Sequence, residues 1–114
     1  MRRPRDPRPY LRDILDSIQR IRRYTEGMEL AGFQEDDLVQ DAVLRRIGVI
    51  GEAVGYLPAE LKEQYPQVPW QDIKGMRNKL IHDYGHVDLE LVWAVVQKDL
   101  PLLEPQIRQI LNEQ

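Results

Sequence analysis

The chain has 114 residues, 42% hydrophobic and 31% charged, with a formal net charge of −3. That is room for one domain around one core, and the acidic balance argues against a protein that coats nucleic acid non-specifically. The absence of cysteine excludes disulfides, thiolate zinc sites and a cysteine nucleophile, and it fits a cytoplasmic protein.

The charge is unevenly spread. Residues 1–23 hold eight arginines against three aspartates, and residues 24–41 hold six acids and no base. The first stretch reads either as a solvated tail or as a basic arm that helps hold RNA or an acidic partner. Pro4 and Pro7 among the arginines make residues 1–8 a flexible arm, leaving 9–114 as a single helical domain. No apolar stretch follows the arm, so no secretory signal is expected. The longest apolar run, Leu91 to Val96, is six residues and too short to span a bilayer.

Pro9 suits a first helical turn, and Leu11, Ile14, Leu15, Ile18 and Ile21 recur at helical spacing, so helix one runs from about 9 to about 27. Gly27 and Gly32 mark a connection. A second helix starts near Asp36 or Asp37, with Val39, Val43, Ile47, Ile50, Val54 and Leu57 as its apolar stripe. Gly48, Gly51 and Gly55 on that helix either admit a closely approaching helix or ligand, or are merely tolerated. Pro58 ends it, and a short helical piece around 59–64 follows before Pro66 and Pro69 enforce extended backbone.

Helix three spans about 70–83, with Trp70 as a core anchor at its start and Gly85 as its stop. Asp88 caps a fourth helix that buries Leu89, Val92, Val95 and Val96, with Trp93 in the core or at a dimer interface. Pro101 and Pro105 predict a kink or break near Leu100 and a terminal segment from 101 to 112. No strand pattern competes. The expectation is an all-α, up-and-down bundle of four to five helices.

Chemistry concentrates in "RNKLIHDY", residues 77–84. On a continuous helix, a five-residue step turns Arg77 and His82 about 140° apart, with Asn78 on the histidine's side and Tyr84 on the arginine's. A compact site then needs unwinding after Ile81 or a second copy of the helix across a two-fold axis, and the second option is preferred here. Histidine titrates near neutrality and moves protons; arginine offers a fork of donors matched to phosphate. Together they suffice for metal-free RNA cleavage, with Asn78 orienting the imidazole or binding substrate. A bare arginine–histidine pair is common by chance, but the asparagine and the tyrosine make the pattern specific. His86 reads as a loop histidine with no special task. His82 and His86 beside Asp83 are thin evidence for a metal site, and no metal or cofactor is expected.

The motif resembles the R-x4-H-x-Y form of HEPN-domain proteins found in HepT-like ribonuclease toxins. "LRDILDSIQRI", "DAVLRRIGVIGEAVGYLP", "VPWQDIKGMRNKLIHDYGHVDLELVW" and "KDLPLL" are similar to that family in the same order, covering about residues 9–112. The resemblance implies a helical bundle that dimerises, with composite sites in a cleft at the homodimer interface. It implies metal-independent endoribonuclease activity carried by Arg77 and His82, with Asn78 assisting, in a type VII toxin–antitoxin system. It also implies a partner, an MntA-type nucleotidyltransferase antitoxin, with which the homodimer can form a larger complex and which adenylylates the motif tyrosine, here Tyr84. Glu52 is a candidate to hydrogen-bond Arg77 and hold it. The alternative within the same family is a non-catalytic HEPN module whose cleft binds a nucleotide or the partner. The basic arm lies outside the family pattern, and no role passes to it.

Overall fold

In the computed structural model, which describes residues 5–82 and 85–114, the first apolar stripe becomes α1 (Arg8–Tyr24). Leu11, Ile14, Leu15, Ile18 and Ile21 are all buried, and Pro9 lies in the first turn. The Thr25 hydroxyl donates to the Ile21 carbonyl at 2.9 Å and closes the helix short of Gly27, whose φ of 75° starts the connection.

That connection contains a helix the sequence did not suggest, α2 (Leu30–Glu35). Phe33, fully buried, packs against Trp93 with ring centroids 5.2 Å apart. The Gln40 side-chain amide donates to the Phe33 and Gln34 carbonyls at 2.8 and 3.0 Å, which satisfies the end of so short a helix. Asp36 caps α3 (Asp37–Tyr56) by accepting from the Val39 amide.

Contacts along their lengths show α1 and α3 to be antiparallel. Tyr10 stacks on Tyr56 at 5.4 Å, and Arg46 reaches the buried Ser17 hydroxyl at 3.5 Å. Short α4 (Ala59–Gln64) follows, and then α5 (Trp70–Lys74) and α6 (Met76–Leu80) return antiparallel to α3. Trp70 is buried, and its indole N–H donates to the Tyr65 and Lys62 carbonyls at 3.0 and 3.2 Å, so it anchors the core as expected.

The glycines of α3 make this last crossing possible. A Cβ on Gly51 would sit 3.1 Å from the Lys74 carbonyl oxygen and 3.3 Å from that of Ile73. On Gly48 it would lie 3.2 Å from the Arg77 Cδ. The backbone of α5 therefore rests on α3 where side chains would hold it off.

The single helix expected over 70–83 is not formed. It is interrupted at Gly75 and ends at Leu80, where the chain turns into an antiparallel bridge, β1 (Ile81–His82) with β2 (His86–Val87). Ile81 pairs with Val87, and such β-branched residues suit extended backbone facing one another. Gly85, at φ 81°, serves the turn and does not stop a helix. The Asp88 amide donates to the Leu80 carbonyl at 2.9 Å and satisfies the end of α6. Of the two routes to a compact site, the unwinding route is the one the local backbone takes. The angular separation of Arg77 and His82 on a continuous helix, the geometric reason for preferring a dimer, no longer applies.

Asp88 caps α7 (Leu89–Ala94), which continues through a π-helical turn, Val95–Asp99, into α8 (Leu100–Asn112). Pro101 and Pro105 each remove an N–H donor, and the wide turn just before them absorbs the misfit without a break. Glu104 of α8 is buried and pairs with Arg22 of α1 and, at 3.0 Å, with Arg108. The fold is all-α apart from the two-residue bridge, and none of the described helices is long and apolar enough to cross a membrane.

Candidate functional site

Arg77 leaves α6 on the side that faces α3. Its aliphatic stem lies over Gly48, with Cδ 3.2 Å and Nε 3.6 Å from where a Cβ would be. A flat, side-chain-free patch on the neighbouring helix thus supports the arm of the arginine while its head stays exposed. Asn78, the next residue, is exposed as well.

Among the described residues Arg77 has no carboxylate partner within ion-pair distance. This corrects the expected bond to Glu52. That residue is exposed on α3, one turn beyond Gly48, and does not hold the guanidinium. What Arg77 packs against instead is Gly48.

His82 sits two residues past the end of α6, on β1, with its side chain 53% exposed. Its Nε2 lies 3.9 Å from the Asp88 Oδ2. Across the bridge its register partner is His86, so the two imidazoles stem from the same face of the hairpin. Asp88 is the residue that sequence reasoning assigned only to capping. The signal that could have exposed its second contact was its place just beyond the turn, which doubles the chain back beside the motif. Tyr84, the expected modification site, lies outside the described residues.

A positive edge continues from Arg77 along α3. The Lys74 stem passes Gly55, with Cε 3.7 Å from the position of a Cβ. Beyond it the Lys62 ammonium has its pKa pushed below the usual lysine value, first by burial and then by the neighbouring charge of Lys74. An apolar cleft of about 570 Å³ between α5–α6 and α7–α8 has Ile73, Met76, Leu80, Leu91 and Leu102 in its wall, and neither Arg77 nor His82. Arg77, Asn78 and His82 occupy an open surface, which a polymeric substrate can reach without entering a pocket.

The comparisons with known proteins point the same way. The family model described as HepT-like, "Ribonuclease HepT-like", matches residues 14–110. The chain is 39% identical over 108 residues to "Putative RNase TTE0752" of Caldanaerobacter subterraneus subsp. tengcongensis, covering 95% of this chain and 96% of that protein. It is 35% identical over 106 residues to "Probable ribonuclease HepT" of Thermococcus cleftensis, covering 93% and 96% of the two chains. A longer protein of Methanocaldococcus jannaschii, "Gamma-glutamylcyclotransferase and putative RNase MJ0434", is 44% identical over 109 residues, which span 96% of this chain and 49% of that one. No solved structure gives a significant match. With its motif on the hairpin side of a helical bundle and the family model matched over most of its length, the chain belongs to the HepT-like ribonuclease family.

Proposed function

We propose that this protein is a metal-independent endoribonuclease, the toxin of a toxin–antitoxin pair, with Arg77 and His82 as its catalytic residues and Asn78 in support. The observation that carries this reading is the placement of Arg77. Its stem rests on a glycine surface, and its guanidinium is exposed and without a carboxylate partner among the described residues, as a group held ready for phosphate would be. His82 follows on the adjoining hairpin. The names of the relatives support RNA as substrate.

In the proposed reaction a neutral imidazole takes the proton of a ribose 2′-hydroxyl. The 2′-oxygen bonds to the adjacent phosphorus as the P–O5′ bond breaks. The departing 5′-oxygen takes a proton from water or from a second imidazolium, leaving a 2′,3′-cyclic phosphate and a 5′-hydroxyl. Arg77 stabilises the charge on the crowded phosphorus. Lys74 and Lys62 extend the positive edge along which a flanking phosphate would lie.

The active form in this reading is a homodimer with composite sites. Its regulator is a nucleotidyltransferase antitoxin that adds AMP to Tyr84, placing bulk and negative charge beside the motif. RNA cleavage in EDTA is expected from the wild type and is expected to be lost in Arg77→Ala and His82→Ala at unchanged melting temperature. Equal cleavage by all three would refute the assignment, and no cleavage by the wild type would favour a non-catalytic binding module. For the regulator, mass spectrometry after incubation with the cognate transferase and ATP should show added AMP that disappears in Tyr84→Phe.

A further inference from the structure

We infer that Asp88 is a positioning residue for His82, fixing which imidazole nitrogen is free to accept a proton; the inference rests on the ribonuclease reading above. Three bonds lock Asp88 in place. Its amide donates to the Leu80 carbonyl at 2.9 Å, its carbonyl accepts from the Val92 amide at 2.9 Å, and its Oδ1 accepts from the Leu91 amide at 3.1 Å. The residue is thereby tied to the end of α6 and to the start of α7. Among the described residues its other oxygen, Oδ2, takes part in no hydrogen bond, and it faces His82 Nε2 at 3.9 Å.

That separation is longer than a hydrogen bond. A small rotation of the half-exposed imidazole closes it, and catalytic hydrogen bonds commonly tighten when substrate docks. A carboxylate oxygen can only accept, so Nε2 must carry the hydrogen when it engages Oδ2. Nδ1 is then the unprotonated nitrogen, and it receives the proton of the 2′-hydroxyl. The carboxylate also stabilises the imidazolium that this transfer creates.

The cap makes the idea sharply testable. Asparagine caps helices as well as aspartate does, but in Asp88→Asn its oxygen must stay on the Leu91 amide. Its NH₂ then replaces Oδ2 and points a donor at Nε2, which forces the hydrogen to Nδ1 and blocks the base. Serine keeps the cap and presents nothing to the imidazole. Asp88→Asn, the closer mimic in shape, should therefore be the more damaged of the two.

The experiment combines ring ¹⁵N NMR of the histidines with steady-state RNA cleavage on the full chain. The chain holds only two histidines, so His86→Gln assigns the signals. Expected are an Nε2–H tautomer in the wild type, an Nδ1–H tautomer in Asp88→Asn, and a kcat lowered there by roughly tenfold to a hundredfold with KM and melting temperature little changed. Asp88→Ser should fall between. Wild-type kcat in Asp88→Asn, an unaltered tautomer, or serine no better than asparagine would each overturn the inference while leaving the ribonuclease reading standing. A tautomer switch between wild type and Asp88→Asn, in a protein whose wild type cleaves no RNA, would support the positioning role and sink the ribonuclease reading instead.

Discussion

Gly48 shows how one missing side chain can make room for another. Alanine is the better helix former by about 1 kcal/mol, so Gly48→Ala should leave the fold as stable or stabilise it slightly. Its new Cβ would meet the Arg77 Cδ at 3.2 Å, and the flexible arginine would move aside. Expected are an unchanged or raised melting temperature and a cleavage rate at least tenfold lower, since angstrom-scale misplacement of a catalytic group is costly. A rate equal to wild type would show that the cradle does not position Arg77. The spacing of the glycines was visible in the sequence, as was the possibility of a close approach. That Arg77 in particular rests on Gly48 was not, because it depends on the register between two helices twenty-nine residues or so apart along the chain.

At the scale of elements, the periodic helices were readable and the interruptions were not. The stripe of α1 and most of that of α3 are buried where 3.6-residue periodicity put them, as are Val92, Val95 and Val96 of α7 and the turn after it, because one face of each must leave water. α2 has no signature in the sequence, because six residues with a single aromatic carry no period. Its existence depends on Phe33 finding Trp93 and on the Gln40 cap. Phe33→Ala should therefore cost about 3–5 kcal/mol, measured by denaturant titration. A loss under 1 kcal/mol would mean that α2 is not held by its ring. The end of α6 is hidden from local pattern for a related reason. Ile81 is compatible with helix by pattern, and only its pairing with Val87, together with the Asp88 amide on the Leu80 carbonyl, makes extended backbone the better choice.

At the scale of the whole molecule, the proposed dimer has to stand on function. Unwinding at Ile81 removes the helical-wheel argument for it, so the question passes to complementation. If Arg77 of one protomer works with His82 of its partner, mixing Arg77→Ala and His82→Ala chains should restore up to about half of wild-type activity per mixed dimer, since one of two sites is rebuilt. No recovery, with mixed dimers verified by mass, would place the pair within one chain.

The sequence by itself determined the all-α class, most helix positions, most of the buried stripes, a cap at Asp36 or Asp37 and another at Asp88, and the motif whose residues the proposed reaction uses. These follow from local patterns, in which each residue's preference is set by neighbours within a few positions. Tertiary structure alone decided that the motif helix stops at Leu80, that Arg77 packs over Gly48 and not against Glu52, and that Asp88 turns its second oxygen to His82. Each of these is a contact between segments distant in sequence or folded back by a turn. Its energy depends on packing that no local pattern encodes.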